Sequence, residues 1–392
     1  MLTAKKWIPT ILSFVIMLSG CGTMPKDSAE RIRNESAEIR GIWVSYSEVN
    51  TLLKNGKLKK NFAKLLQDGK TLGVTDLFLH VRAFCDAIYP SDYFPMTESA
   101  AAYDYDILSY MVSAAHRKNI RIHGWLNPYR VRTGDAEIEK LPEKSPARVF
   151  LSDQDPENDG AVCFCNGIYL NPASSAARQL ILNGIRELLT RYDLDGIHLD
   201  DYFYPTTAED FDAAAYNDYV SGCETPLSLA DWRCANVNAL VSGCYTAVKF
   251  SGHDRIFSIS PAASITKNRE DLYADAEAWC ESGCVDWLIP QLYFGFHYPL
   301  EEYRFETLLK AWQNLTAKTS AKLLIGLAPY KIGAEAEADR PEWTDGSDDL
   351  LARQVTALRQ EKAAGFVFFS YSALFSENAR NTAERENLFR IL

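Results

Sequence analysis

Eight short apolar runs, each followed by an amphipathic stretch, constrain the fold of this chain more than any other feature. They are rich in branched and aromatic residues, as buried strands are, and read GIWVS (41–45), DLFLHV (76–81), IRIHGWL (120–126), GIHLD (196–200), IFSIS (256–260), DWLIPQ (286–291), LLIGLA (323–328) and GFVFFS (365–370). Strict alternation of strand and helix predicts a parallel sheet. Eight such units are the number found in a TIM (β/α)8 barrel. We therefore predict an α/β fold with a single catalytic barrel domain over residues 38–392.

An open, doubly wound sheet is the alternative fold for alternating strands and helices. Dinucleotide-binding sheets of that kind carry a glycine-rich phosphate loop after the first strand. The sequence has neither a G-x-G-x-x-G pattern nor a Walker motif. Two long connections, around residues 131–172 and 203–231, follow the third and fourth runs and are candidates for the rims of a cleft.

Charge and composition restrict the possible partners. The formal net charge is -11 and the sequence has no basic cluster. Nucleic acids and anionic lipid headgroups both need a positive surface, so neither is an expected partner. Aromatic residues make up 12% of the chain, which suits a neutral polar ligand such as a polysaccharide but also suits any large core. No cofactor is expected, and the oligomeric state stays open.

The N-terminal segment predicts export and lipidation. Lys5 and Lys6 precede an apolar run that ends at Leu18, which is too short to span a bilayer but fits a secretory signal peptide. The tetrad from Leu18 to Cys21 resembles the lipobox of bacterial lipoproteins. We predict a signal peptide over residues 1–20, lipid attachment at Cys21 and a flexible tether over 21–37. The mature protein would then be a membrane-anchored lipoprotein on the outer side of the cytoplasmic membrane or in the cell envelope.

Eight further cysteines follow the predicted lipidation site. An exported protein could pair them as disulfides, and the sequence leaves their state open. Their spacings do not match a zinc site, so no metal is expected. The eight are Cys85, Cys163, Cys165, Cys223, Cys234, Cys244, Cys280 and Cys284.

Strand alternation brings polar side chains to one end of the predicted barrel. Residues two apart in a strand share a face, and catalytic residues of TIM barrels lie at the C-terminal ends of the strands. Four inward-facing groups are predicted there, one from each of four strands. They are His80 with Arg82; His123 with Trp125 and Asn127; His198 with Asp200; and Gln291 with Tyr293.

Two adjacent carboxylates end the fourth run and are the main catalytic candidates. Asp200 would point into the barrel mouth, and Asp201 would follow at the turn of the chain. Paired carboxylates suit glycosidic cleavage, where one donates a proton and the other stabilises positive charge or activates water. Asp86 is a third candidate, and Glu48, after the first run, is a fourth.

The surroundings of these carboxylates predict unequal pKa values. Arg82 and His198 would keep one acid ionised, because a nearby positive charge favours the charged form. Burial against Trp125 or Tyr293 would raise the pKa of the other.

Nine longer segments resemble the glycosyl-hydrolase-like 10 family, first catalogued as a domain of unknown function. They are RGIWVSY, HVRAFCDAIYPS, HGWLNPYRV, YLNPASSAARQLI, YDLDGIHLDDYFYP, SISP, DWLIPQLYFG, GLAPYKIG and GFVFFSYSAL. The resemblance runs from about Glu38 to the C-terminus and touches all eight predicted strands. It implies a TIM barrel in an exported bacterial lipoprotein that cuts peptidoglycan glycan strands stripped of their peptides.

The stretch DGIHLDDYFYP is also similar to the DGxDxDxExP motif of family 18 chitinases. Asp195 and Asp200 match motif aspartates, whereas His198 replaces the middle one and Tyr202 stands at the position of the acid. Tyr293 would match the tyrosine that orients the substrate acetamide. Because the motif glutamate is absent, we expect Asp201 or Asp200 to be the acid, and the nucleophile stays open.

A glycan substrate assigns binding roles to the remaining polar and aromatic candidates. Trp125, Tyr129 and Tyr293 would stack on sugar rings. Arg82 and Arg130 could grip the lactyl carboxylate of muramic acid through paired hydrogen bonds. Alternatively, Arg82 would pair with Asp86 or Asp200 and tune its pKa, and Arg130 would be a solvated charge on the rim.

Two other functions fit the same residues. A non-catalytic lipoprotein that binds glycans would keep the aromatic residues and be indifferent to the aspartates. A metal-dependent polysaccharide deacetylase would use His80, His123 and His198, since three histidines on neighbouring strands can hold a zinc ion.

Overall fold

The computed structural model describes residues 38–334, 340–344 and 348–392. The predicted signal peptide, Cys21 and the tether lie outside the described residues. The strands are β1 (Ile39–Val44), β2 (Asp76–Arg82), β3 (Arg121–Leu126), β4 (Arg130–Thr133), β5 (Val162–Phe164), β6 (Gly167–Leu170), β7 (Gly196–Leu199), β8 (Ile256–Ile259), β9 (Trp287–Leu288), β10 (Lys322–Leu327) and β11 (Gly365–Phe368).

Eight of these strands close a barrel in the order β1-β11-β10-β9-β8-β7-β3-β2. Every pairing around it is parallel, so the predicted TIM barrel is confirmed. Each predicted run overlaps one barrel strand. The sixth run is the shortest as a strand, because Pro290 has no N–H to donate to the ladder. Pairing nevertheless resumes beyond it, where the Gln291 amide donates to the Pro261 carbonyl at 3.0 Å.

Helices follow the barrel strands and cover them. They are α1 (Tyr46–Leu53), α2 (Leu58–Thr71), α3 (Glu98–Ala101), α4 (Ile107–His116), α5 (Pro146–Ser152), α6 (Ser175–Arg191), α7 (Ala213–Ser221), α8 (Leu229–Ser251), α9 (Ile265–Asp271), α10 (Ala276–Glu281), α11 (Phe305–Thr316), α12 (Arg340–Thr344), α13 (Leu350–Gln360), α14 (Tyr371–Leu374) and α15 (Ala379–Phe389).

Helix α6 illustrates how the sequence sets these elements. The Ser174 side chain accepts a hydrogen bond from the Ala177 amide at 3.2 Å, which satisfies one of the free N–H groups at the helix start. Ile181, Ile185 and Leu188 recur at helical spacing and are fully buried. One apolar face therefore packs against the barrel.

The two long connections are structured rather than open. The first contains a three-stranded antiparallel sheet in the order β4-β6-β5, which the sequence analysis did not predict. In the second, Asp212 is bound by the fully buried Arg233 of α8, with 2.5 Å between Arg233 Nη2 and Asp212 Oδ1. Removing one partner of such a pair would cost about 3–5 kcal/mol, because a buried charge would be left alone. The pair therefore fixes the segment that leaves β7.

The barrel interior is filled largely by aromatic and branched side chains. A separate inner cluster contains Ile39, Trp43, Phe78, Trp125, Trp287, Ile289, Leu324 and Val367. Gly326 makes room for this filling, because a Cβ there would lie 3.0 Å from the Trp43 ring and from the Pro290 carbonyl. The much larger cluster lies between the barrel and its helices.

The state of the cysteines and the character of the helices complete the description of the fold. The eight cysteines from Cys85 to Cys284 are all unpaired, a point that the sequence left open. Among the described residues, we find no helix with the length and apolar character needed to span a bilayer.

Candidate active site

Asp200 follows β7 directly and points into the mouth of the barrel. It is 4% exposed. Its Oδ2 accepts hydrogen bonds from Trp125 Nε1 at 3.1 Å and from the Asn127 amide, and its Oδ1 accepts from the Tyr202 backbone N–H at 3.2 Å. Burial, together with the neighbouring Asp201 charge, raises the pKa of Asp200 to about 7. Three donors thus hold one carboxyl group whose pKa lies well above its ordinary value.

Asp201 is the more accessible member of the acid pair, and it is half-buried. Gln291, which follows β9, hydrogen-bonds to the Asp201 carboxyl, and burial raises the pKa of Asp201. The Gln291 side chain is itself fixed, because its Nε2 donates to the Ser260 carbonyl at 3.1 Å. Two coupled carboxyls with raised pKa values share a proton over part of the titration, since ionising both places like charges side by side.

Asn127 and Arg130 support the pair from β3 and the start of β4. Arg130 Nη2 donates to Asn127 Oδ1, and Asn127 Nδ2 donates to Asp200. The guanidinium is anchored by the Ala83 carbonyl at 3.2 Å from its Nε, and its charge lowers the pKa of both aspartates against the effect of burial. Arg130 is therefore not a solvated rim charge.

Aromatic rings surround the mouth on two sides. Tyr293 stacks on Phe369 at 6.0 Å between centroids and meets Tyr330 edge-on at 5.8 Å. The nearby acid pair is among the causes that raise the pKa of Tyr293, after burial and Tyr330. On the opposite side, Tyr202 is 56% exposed, and Arg130 lies over its ring at 5.0 Å. Tyr293 and Tyr202 thus stand beside the acids, as predicted from the sequence.

Phe369 and Tyr330 were missed by the sequence analysis. Phe369 immediately follows β11 and stands two residues after Val367, an inner-cluster residue. Applied to β11, the alternation rule that grouped the other candidates would have found it. Tyr330 lies in a short turn after β10 and has no comparable signal.

The three interior histidines lie below the acids. His198 is fully buried; its Nε2 accepts from Trp43 Nε1 at 2.9 Å, and its Nδ1 lies 2.8 Å from Ser258 Oγ. His123 Nε2 lies 2.8 Å from Asp76 Oδ1, deep in the barrel. His80 stacks on Trp125 at 3.9 Å. Burial lowers the pKa of His198 and His80 well below the ordinary value, so both are neutral packing groups under Asp200.

The expected direct contact of His123 and His198 with substrate is therefore not met. His123 is bound to the Asp76 carboxylate, and Trp43 and Ser258 occupy both ring nitrogens of His198. Within the described ranges, no group of three or more His, Cys, Asp or Glu side chains could hold a metal ion. The three-histidine centre of the deacetylase alternative is thus not assembled here.

Arg82 does not face the mouth, and the alternation that grouped it with His80 is wrong. His80 pairs with Trp125 and Arg82 pairs with Leu126, so Val81 is an extra residue in a β-bulge. Such a residue reverses the faces that follow it. The Arg82 guanidinium lies 4.2 Å from the centre of the Phe94 ring and is 1% exposed. It acts on the pKa of Asp86, which it lowers against burial, rather than at the acid pair.

Tyr129 also lies away from the mouth. It is fully buried in the layer between barrel and helices, so the predicted stacking on a sugar is not supported by its position. Burial raises the pKa of its phenol.

The other two candidate carboxylates, Glu48 and Asp86, have different neighbours from those of the acid pair. The Glu48 carboxylate accepts hydrogen bonds from Ser45 N at 2.7 Å, from Ser370 Oγ at 2.7 Å and from Ser372 N at 2.6 Å. It therefore has a structural role, because these bonds tie the end of β1 to the end of β11. Asp86 is half-buried, accepts from the Phe84 amide at 3.2 Å and borders two surface cavities. Burial raises its pKa.

Comparison with known families identifies the chain. The family model described as glycosyl hydrolase-like 10 matches residues 38–345. The chain belongs to this family. The match ends before β11, so Phe369 and the rest of the last barrel unit lie beyond it.

Relatives and solved structures agree with this assignment. The chain is 32% identical to the glycosyl hydrolase YngK of Bacillus subtilis, over 86% of this chain and 69% of YngK. It is 26% identical to the glycosyl hydrolase DigH of Escherichia coli K12, over 86% and 85%. The glycoside hydrolase domain of PgaB (BpsB) from Bordetella bronchiseptica shares the fold, with a TM-score of 0.60 and 14% identity over 90% of this chain and 99% of that one. The protein is therefore a glycosidase that acts on a glycan.

Proposed function

We propose that this glycosidase hydrolyses the N-acetylated glycan strands of peptidoglycan from which the peptides have been removed. The observation that carries the proposal is the coupled pair Asp200–Asp201 at a mouth lined by Tyr202 and Tyr293. Aromatic rings suit the apolar faces of sugars, and two carboxyls with raised pKa values suit cleavage of a glycosidic bond at neutral pH. The choice of peptidoglycan rests on the resemblance of the sequence motifs to enzymes of that kind.

In this proposal, Asp201 is the general acid. It is the more exposed of the two aspartates, and Gln291 orients it from the end of β9. Asp200 is buried and held by three donors, and the two carboxyls share one proton. In the state that reacts, Asp201 carries this proton and the Asp200 carboxylate stabilises the positive charge that develops as the bond breaks. Asp201 would transfer its proton to the glycosidic oxygen, and the leaving sugar would depart as an alcohol.

Attack on the anomeric carbon is assigned to the acetamide of the substrate. Among the described residues, no third carboxyl stands beside the acid pair, because Glu48 is bound at the β1–β11 junction and Asp86 lies beyond Phe84. Tyr293 is close enough to the acids for their charges to affect its pKa, and its phenol can orient an acetamide. Water would then open the cyclic intermediate, which leaves the configuration at the anomeric carbon unchanged.

Lipid anchoring is the second part of the proposal. Its support is the tetrad from Leu18 to Cys21 after a short apolar run, and residues 1–37 lie outside the described residues. An anchored enzyme on the outer face of the cytoplasmic membrane, or elsewhere in the envelope, would work next to the cell wall.

The test uses peptide-free peptidoglycan strands and product analysis by mass spectrometry. The wild type should release saccharides, and Asp201→Asn should lose at least ~10²-fold in kcat/KM, with an unchanged melting temperature. De-N-acetylated strands should resist cleavage, because they lack the acetamide. A wild type that prefers chitin would contradict the peptidoglycan assignment. Turnover by Asp201→Asn at the wild-type rate would show that Asp201 is not the general acid.

A further inference from the structure

Two cavities beside the mouth are not used by the chemistry described above. The larger, of about 310 Å³, lies between the segment after β2 and the connection that begins with β4. The smaller, of about 140 Å³, lies between α1 and the same segment. Phe84 and Asp86 line both, so one short segment separates the two spaces.

The cavities are connected to the acid pair through a short series of side chains. His80 borders the smaller cavity and stacks on Trp125, whose indole N–H donates to Asp200. Phe84 borders both cavities, and the Arg130 guanidinium lies 4.4 Å from its ring centre while also covering Tyr202. On the side of β2 and β3, the larger cavity is therefore linked to the acid pair through Phe84, Arg130 and Asn127.

The lining of the larger cavity suits a pyranose ring. Phe84, Pro95, Val131, Leu141 and Pro142 provide apolar walls, which can cover the C–H face of a sugar. Asp86 provides a half-buried carboxylate that can accept from ring hydroxyl groups, and the Lys140 ammonium provides donors. Lys140 already binds Asp135 at 2.9 Å and Glu137 at 2.6 Å, and Arg132, which also lines the cavity, binds Asp135 at 3.2 Å. Together with Asp86, these carboxylates leave the cavity with no excess positive charge. A neutral sugar unit fits this lining better than an anionic group.

We infer that the larger cavity is a distal subsite that binds an uncharged N-acetylated hexosamine unit of the same glycan strand. This inference rests on the proposed function. It gives Asp86 a binding role, in contrast to the catalytic role predicted from the sequence. The subsite makes the enzyme prefer long strands, because each additional occupied subsite adds binding energy that short oligomers cannot supply.

The test fills the cavity without touching the acid pair. Thr133 lines the cavity and is exposed, so Thr133→Trp should block the space. The matched control is Thr190→Trp, at an exposed position of α6 outside the cavity lining. Cleavage is measured on oligomers of two and six sugar units prepared from peptide-free peptidoglycan strands, and affinity for the six-unit oligomer is measured by calorimetry in an Asp201→Asn background. A second cavity variant, Asp86→Asn, checks the carboxylate.

Thr133→Trp should lower kcat/KM roughly tenfold on the long oligomer, with a much smaller loss on the short one. In the Asp201→Asn background, it should weaken the affinity for the long oligomer by a similar factor. Asp86→Asn should show the same dependence on length. If the change in kcat/KM depends on oligomer length in the same way in the cavity variants and in the control, and the long oligomer still binds, the subsite is overturned and the proposed function stands. If Asp86→Asn loses turnover equally on both lengths, Asp86 acts in catalysis and the inference is wrong. A wild type that neither cuts nor binds any oligomer would overturn both proposals.

Discussion

At the scale of single residues, the site depends on hydrogen bonds that keep an otherwise unfavourable pair of acids in place. Trp125, Asn127 and the Tyr202 amide all donate to Asp200, which offsets part of the cost of burying a carboxylate beside another. The raised pKa values show that the offset is incomplete. Substitutions that change this balance should therefore alter both activity and stability.

Arg130 is expected to set the pH range of the enzyme. Its charge lowers the pKa of both aspartates, so Arg130→Gln should raise them and keep the acid protonated to higher pH. The alkaline limb of the kcat/KM profile should move up by ~1 pH unit. The control Arg186→Gln removes the same charge from an exposed part of α6. An unchanged profile in Arg130→Gln would show that Arg130 acts only on geometry.

Asp200→Asn should impair catalysis and remove part of the pH dependence of stability. The folded-state pKa of about 7 lies above the ordinary value of 3.8, so the folded state favours the protonated carboxyl. The wild type therefore loses stability as pH rises from about 4 to about 7, whereas the uncharged amide does not. The melting temperature should fall less between pH 4 and pH 8 in the variant than in the wild type. An equal fall in both proteins would contradict the raised pKa.

At the scale of elements, the bulge in β2 determines which side chains reach the mouth. It turns Arg82 outward into the layer between β2 and α6, where the guanidinium packs on Phe94. That layer is tight at Gly184 of α6, because an added Cβ would overlap both the Phe94 ring and the Arg82 guanidinium. A bulge and a helical glycine are thus coupled through one buried arginine.

Gly184→Ala should therefore destabilise the fold although alanine is the better helix former. Overpacking of this kind costs about 1–3 kcal/mol, more than the ~1 kcal/mol gained from helix propensity. Gly160→Ala is the control, since a Cβ there meets nothing within 4 Å. Chemical denaturation measures both variants. If Gly184→Ala is as stable as its control, the packing of Arg82 in this layer is looser than described.

At the scale of the whole molecule, eight parallel strands deliver side chains from distant parts of the sequence to one rim. Asn127, Asp200 and Gln291 follow three different strands. They meet only because β3 lies beside β7 in the barrel and β9 is separated from β7 by β8 alone. At the same scale, the proposed lipid anchor at Cys21 would hold the barrel close to its substrate.

Cys21→Ala tests the proposed anchor. Loss of the lipid-bearing thiol should release the protein from the membrane fraction or block its maturation, because two acyl chains on one cysteine suffice for stable attachment. Fractionation and mass spectrometry of the N-terminus measure the effect. A wild-type protein that is wholly soluble and carries no lipid would contradict the proposal.

The sequence alone determined the class of fold and the place of the acid pair. The eight apolar runs predict the barrel because strand–helix alternation permits few other arrangements, and the adjacent Asp200 and Asp201 follow a strand whose end must lie at the mouth. Local pattern is sufficient for both, since each depends on residues close together in the chain.

Only the tertiary structure decided which of the other polar residues serve the site. One additional residue in β2 reverses the face of Arg82, and no local signal marks it. His123 and Tyr129 follow the expected pattern but are buried with neighbours from other elements, and Glu48 binds residues more than three hundred positions away. The physical reason is that side-chain direction follows from strand pairing and packing between distant segments, whereas sequence periodicity gives only the average alternation within one strand.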